Sequence, residues 1–199
     1  MIAFSLLLSM IPFLLVLLGF PLIGAGLKII DETHDADLFN RRLCSLVTLL
    51  TIVLYAFFVV FDLYAATILF AIIVGVTITG KIDNGSFLFG VGSVLFFFFI
   101  CYFFVRPFVL LPLSFVFLSA AGSIDEIGND YIDSHILTRF RHHLAYYFFG
   151  RRYLFKFSVF YLVLLGVVPW HYLIAMILFD EAYILVGIYS EYALHRKKN

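Results

Sequence analysis

The chain has 199 residues, of which 64% are hydrophobic, 20% aromatic and only 13% charged, with a mean hydropathy of +1.09. Soluble domains carry about a quarter charged residues, so this composition excludes a chain dissolved mainly in water. Thirteen basic and thirteen acidic residues cancel to a net charge of zero, so total charge predicts no nucleic acid or other polyanion as partner.

In chain order, the charge-free stretches are Ile2–Leu27, Leu43–Phe61, Leu63–Gly80, Ser86–Val105, Pro107–Ile124 and Phe157–Trp170; a last one, Tyr172–Ser190, is interrupted by Asp180 and Glu181. About 20 apolar residues carry a helix across the hydrocarbon. The runs are continuous rather than alternating, which disfavours a β-barrel. The first run lacks a basic leader and exceeds a signal-peptide core, and reads as a retained span. The expected fold class is therefore all-α: a polytopic membrane helix bundle of about seven transmembrane helices, one integral membrane domain over residues 1–199. Trp170 and Tyr172 read as interfacial anchors. Cys44 and Cys101 read as packing residues near opposite membrane faces, not as a disulfide.

Charge distribution fixes the expected topology. If Arg106-Pro107 is a turn rather than a kink, twelve of the thirteen basic residues share one face, and only Arg106 lies opposite. The positive-inside rule then places the N-terminus outside and the C-terminus in the cytosol.

Two parts of the chain look alike. Gly24-Ala25-Gly26 precedes Ile30-Asp31-Glu32 and Asp35; Ala120-Ala121-Gly122 precedes Ile124-Asp125-Glu126 and Asp130. Each acidic stretch leads through an arginine pair, Arg41-Arg42 or Arg151-Arg152, into two further apolar runs, and Asp83 and Glu191 follow at matching offsets. This predicts a parallel duplication: repeat one over about 1–85, a linking helix over about 86–105 and repeat two over about 106–199.

The acidic stretches are the candidate chemistry. Asp31 and Asp35 stand one helical turn apart, as do Glu126, Asp130 and Asp133 beside Asn129. Carboxylates at that spacing repel, and a hard divalent cation relieves the repulsion; Mg²⁺ is usually held by one or two carboxylates, with phosphate oxygens and water completing its shell. The candidate metal ligands are Asp31, Asp35, Glu126 and Asp130. The candidate catalytic set is Asp31, Asp35, Asn129, Asp130 and Asp133, with Lys28, Lys81, Arg139 and Arg141 as phosphate-binding cations. The histidines at 34, 135, 142, 143 and 195 fit no zinc spacing. The basic, aromatic stretch from Arg139 to Arg152 suits either the anionic inner leaflet or a lid over a phosphate.

The segment Gly128-Asn129-Asp130-Tyr131-Ile132-Asp133, after Ala120-Ala121-Gly122, resembles the first aspartate-rich motif of the UbiA-type intramembrane prenyltransferases, and Asp31 with Asp35 resembles the second. Leu137 stands where that motif has a further aspartate, the order of the two motifs is reversed, and the chain is shorter than the family's usual length. The resemblance implies Mg²⁺-assisted transfer from an isoprenoid diphosphate, a transferase activity at the cytosolic face. The residues leave a second class open. Asp180 and Glu181 sit near the middle of the last run, where a charge costs at least about 2.5 kcal/mol, and suit a cation or proton transporter or channel. A structural or assembly subunit is the third class.

Overall fold

The computed structural model describes residues 2–35, 39–80, 85–104, 110–134 and 148–198. Among the described residues the chain is all-helical: α1 (Ile2–Asp35), α2 (Arg41–Phe61), α3 (Leu63–Ile78), α4 (Gly85–Phe104), α5 (Pro112–Ser134), α6 (Tyr153–Leu164) and α7 (Trp170–Lys198). Three helical stretches are long and apolar enough to cross a membrane: Pro12–Thr33, Arg41–Phe61 and Trp170–Arg196. The apolar helices α3 and α6 are shorter; the 12 residues of α6 rise only about 18 Å, less than the roughly 30 Å hydrocarbon layer. The chain is a membrane protein built of helices.

Burial in α2 shows which solvent the surface is made for. Its inward residues, Cys44, Thr48, Thr51, Tyr55 and Phe58, recur every three or four positions and include three hydroxyl side chains. Its outward residues are Leu46, Leu49, Leu50, Val53 and Phe57, all exposed. A helix facing water would reverse this pattern. In lipid, exposed leucine costs nothing, and small or hydroxyl residues gather where helices meet. Of the two inward threonines, Thr48 donates to the Cys44 carbonyl at 2.8 Å. The last helix repeats the pattern, with Ala175, Asp180 and Ser190 buried and Leu185, Ile188 and Tyr189 exposed.

The chain divides into two compact units that interleave along the sequence: Met1–Phe57, Asn84–Phe97 and Trp170–Asn199 form one, Phe58–Asp83 and Phe98–Pro169 the other. In the first unit α1 packs along α7. Phe13 meets Trp170 and His171 at ring separations of 5.7 and 5.4 Å. Further along, Phe20 meets Tyr172, Gly24 lies against Phe179, and Gly187 faces Lys28. Both numbers rise together, so the two helices run parallel. The approach at Gly24 is backbone to backbone, since any Cβ there would meet the Phe179 carbonyl oxygen.

In the second unit α5 packs on α3 and α6. The Leu111 N–H donates to Thr67 Oγ1 at 3.2 Å, and Gly122 lies near the Ala71 carbonyl and against Gly75, so α3 and α5 also run parallel. Antiparallel to α5, α6 pairs Tyr161 with Phe117 and Phe155 with Gly122. Asp62 starts α3 by accepting from the N–H groups of Tyr64 and Ala65 at 3.0 and 2.8 Å, which satisfies two donors that lipid would leave bare. Gly80 and Gly166, at φ 74° and 68°, end α3 and α6 in the left-handed conformation that only glycine adopts freely.

Candidate functional site

The α1–α7 contact carries a compact charged group. One turn beyond the glycines of α1, Lys28 Nζ lies 2.8 Å from Asp31 Oδ2 and 2.8 Å from Glu32 Oε1. These side chains keep 19%, 23% and 15% of their surface exposed, so the group is accessible but shielded from bulk water. From α7, Tyr183 donates to Asp31 Oδ2 over a long 3.4 Å, and its ring lies 5.3 Å from Lys28 Nζ. Gly187 admits Lys28: a Cβ there would stand 3.3 Å from Lys28 Cε. One basic side chain thus faces two acidic ones.

The position of these acids is costly to the helix. Asp31, Glu32 and Asp35 lie in the last turn and a half of α1, where the helix dipole is already negative, and each carboxylate there is unfavourable by about 0.3–1 kcal/mol. Lys28 precedes its partners, the weaker order for an ion pair on a helix. Local rules broken in this way are expected at functional or strained sites.

The acids of α5 divide between two environments. Asp125 is fully buried; its two oxygens accept from the backbone N–H groups of Leu154 at 3.3 Å and Phe155 at 2.7 Å. It thus caps the N-terminus of α6 from a different helix. Glu126 is 4% exposed and holds Arg152 Nε at 2.8 Å; Arg152 itself takes a left-handed φ of 48°, uncommon for a side chain of its size. Lys156 donates to the Arg151 carbonyl at 2.8 Å and lies 5.1 Å from the Tyr153 ring centroid. Asp125, Glu126 and Arg152 therefore work as a clamp on the start of α6. Asn129 is half-buried beside Gly150, and Asp130 is exposed.

Of the residues singled out in the sequence, Lys28 and Asp31 come together with Glu32 and Tyr183 in the first unit, and Glu126, Asn129 and Asp130 belong to the second. Lys81, Arg139 and Arg141 lie outside the described residues, as do the side chains of Asp35 and Asp133. Among the described residues no three His, Cys, Asp or Glu side chains gather as a metal cage. Asp180 and Glu181 differ: Asp180 is 3% exposed, Glu181 half-exposed. Sequence reasoning missed Tyr183 and Gly187; their spacing of four, on the α7 face that also holds Phe179, was the available signal. Comparison with known proteins adds no relative: no family model, no curated protein and no solved structure matches this chain.

Proposed function

We propose that the protein is a membrane-embedded lipid-modifying enzyme that transfers an isoprenoid group from its diphosphate to an acceptor at the cytosolic face, with Lys28, Asp31 and Glu32 at its centre. The observation that carries this reading is the ion-paired group itself: one lysine and two carboxylates in the α1–α7 contact, at the end of an apolar helix. A long apolar chain rests in the hydrocarbon while its charged head reaches the helix end. There Lys28 exchanges a carboxylate for a phosphate oxygen and neutralises it. Asp31 and Glu32, so released, are the residues that would hold Mg²⁺, which supplies charge neutralisation for a departing diphosphate. In the transfer the allylic C–O bond breaks with its electron pair leaving on diphosphate, the acceptor's lone pair forms the new bond, and the acceptor's proton passes to a base.

Seven spans and a duplication are part of this proposal. Parallel α1 and α7 favour termini on opposite faces and so an odd number of crossings; parallel α3 and α5 favour a return of the chain between them, hence a turn near Arg106-Pro107. The basic segments then share the inner face. The duplication draws support from the make-up of the units. Each combines the first and second helices of one repeat with the third helix of the other: α1, α2 and α7 in one, α5, α6 and α3 in the other.

The test uses the full-length protein in lipid nanodiscs with a radiolabelled isoprenoid diphosphate and a panel of lipid acceptors. Mg²⁺-dependent product is expected, with Asp31→Asn lowering turnover at least a hundredfold while the unfolding temperature stays within a few degrees. Wild-type turnover in Asp31→Asn would refute the assignment.

One observation favours a second reading, a cation or proton transporter: Asp180 is buried inside an apolar helix of spanning length, where an ionisable group is a functional candidate by default. That reading expects ion flux into sealed vesicles, abolished by Asp180→Asn. Equal flux in the variant removes it.

A further inference from the structure

Hydroxyl side chains in these helices mostly bond to their own backbone. Thr33, Ser45, Thr48, Thr67, Thr77, Thr79 and Ser123 each donate to the carbonyl four residues earlier, and Ser134 to the one three residues earlier. Ser190 does not. It is 1% exposed, yet its Oγ has no hydrogen-bond partner among the described residues. A buried hydroxyl left without a partner is costly in a native protein and calls for a reason. Ser119, similarly placed in α5, precedes the first charged residue of its helix by more than a turn.

Ser190 is differently situated. Tyr183, Gly187 and Ser190 fall within about 60° of one another around α7, and this face meets α1: Tyr183 at Asp31 and Lys28, Gly187 at Lys28. Because the two helices run parallel, with Gly24 at Phe179 and Lys28 at Gly187, Ser190 comes level with the next turn of α1, which holds Glu32 and Asp35. The buried hydroxyl is thus carried to the charged group rather than away from it. Gly187, between Tyr183 and Ser190 on this face, is where the Lys28 side chain lies: a Cβ there would stand 3.3 Å from Lys28 Cε.

We infer that Ser190 and Tyr183 form the hydroxyl-donor side of a phosphate-recognising site whose other side is Lys28, Asp31 and Glu32. The inference rests on the enzyme reading above and deepens it, because it names what recognises the head of the substrate: oxygens of a phosphate or diphosphate group. Each hydroxyl donates one hydrogen bond to a phosphate oxygen; Tyr183 gives up its long bond to Asp31 to do so. The isoprenoid tail contributes nothing to these two bonds, so free pyrophosphate and an isoprenoid diphosphate should both respond to their removal. The lipid diphosphate binds the tighter of the two through its tail.

Binding of inorganic pyrophosphate and of farnesyl diphosphate, each with Mg²⁺, is measured by calorimetry on the full-length protein in nanodiscs. Ser190→Ala, Tyr183→Phe and Asp31→Asn are compared with wild type. The unfolding temperature is recorded with and without ligand. The expected result is a loss of about tenfold or more in affinity for both ligands in Ser190→Ala and in Tyr183→Phe, the range for a hydrogen bond to a charged group. The unliganded Ser190→Ala protein should unfold at the wild-type temperature or above it, because the change deletes an unpartnered hydroxyl, and only the ligand-induced rise should shrink. If wild type binds and Asp31→Asn does not, but Ser190→Ala and Tyr183→Phe bind normally, this inference is overturned and the enzyme reading stands. If wild type binds neither ligand, both fall.

Discussion

Replacing Asp125 by alanine is expected to destabilise the protein by about 2–4 kcal/mol, the sum of a lost helix cap and two backbone donors left without an acceptor. The side chain has no exposed surface, so water cannot take its place at the N–H groups of Leu154 and Phe155. Asp125→Asn keeps one acceptor oxygen and should lose roughly half as much. Equilibrium unfolding in mixed detergent micelles measures both. Because Asp125 meets backbone rather than a ligand, the loss should be the same with and without Mg²⁺ and diphosphate. A wild-type unfolding curve for Asp125→Ala would show that α6 begins without this cap.

Gly24→Leu is expected to part α1 from α7. At this crossing a new Cβ meets the main chain of Phe179, and main chain inside a helix cannot yield as a flexible side chain does. Overpacking of ordinary cores costs about 1–3 kcal/mol, and a rigid neighbour puts this change at the upper end or beyond. Gly26→Ala is the comparison: its Cβ would meet the side chain of Thr51, which has rotamers available, so a smaller loss is expected. A cysteine pair at Phe13 and His171, whose rings meet across the contact, reports the outcome when joined by a short bifunctional thiol reagent. The crosslinking yield in membranes should be high in the parent, modestly reduced with Gly26→Ala and largely lost with Gly24→Leu. Unchanged crosslinking with Gly24→Leu would remove the close approach, and with it the scaffold beneath Lys28 and Asp31.

Much of this was legible in the sequence because it depends on local chemistry. Continuous apolar runs give membrane helices, Asp62 and Gly80 mark where α3 begins and ends, and acids at the negative ends of α1 and α5 stand out against the dipole. Helix partners were not legible. That α1 lies beside α7 follows from a glycine at 24 meeting a backbone at 179, and no local pattern encodes so distant a match. Asp125 and Asp31 looked alike for the same reason. Both follow an isoleucine and precede a glutamate, yet one caps α6 and the other joins a lysine on an accessible surface. Only the N–H groups supplied by residues 154 and 155 distinguish them. The contrast between Asp180 and Glu181 is likewise a matter of helix phase: adjacent residues point about 100° apart, and the face chosen by Phe179 determines that Asp180 is the buried one. Tyr183 and Ser190 are ordinary residues of a long apolar helix until α1 is placed against them.

Two activities can be read in one preparation of sealed proteoliposomes, by following release of pyrophosphate from an isoprenoid diphosphate together with internal pH. Pyrophosphate release that needs both Mg²⁺ and an acceptor, that vanishes in Asp31→Asn and that leaves the internal pH steady is the predicted result. A proton flux that collapses in Asp180→Asn, with the diphosphate untouched by wild-type protein, would contradict the assignment of Lys28, Asp31 and Glu32 as the centre of an enzyme.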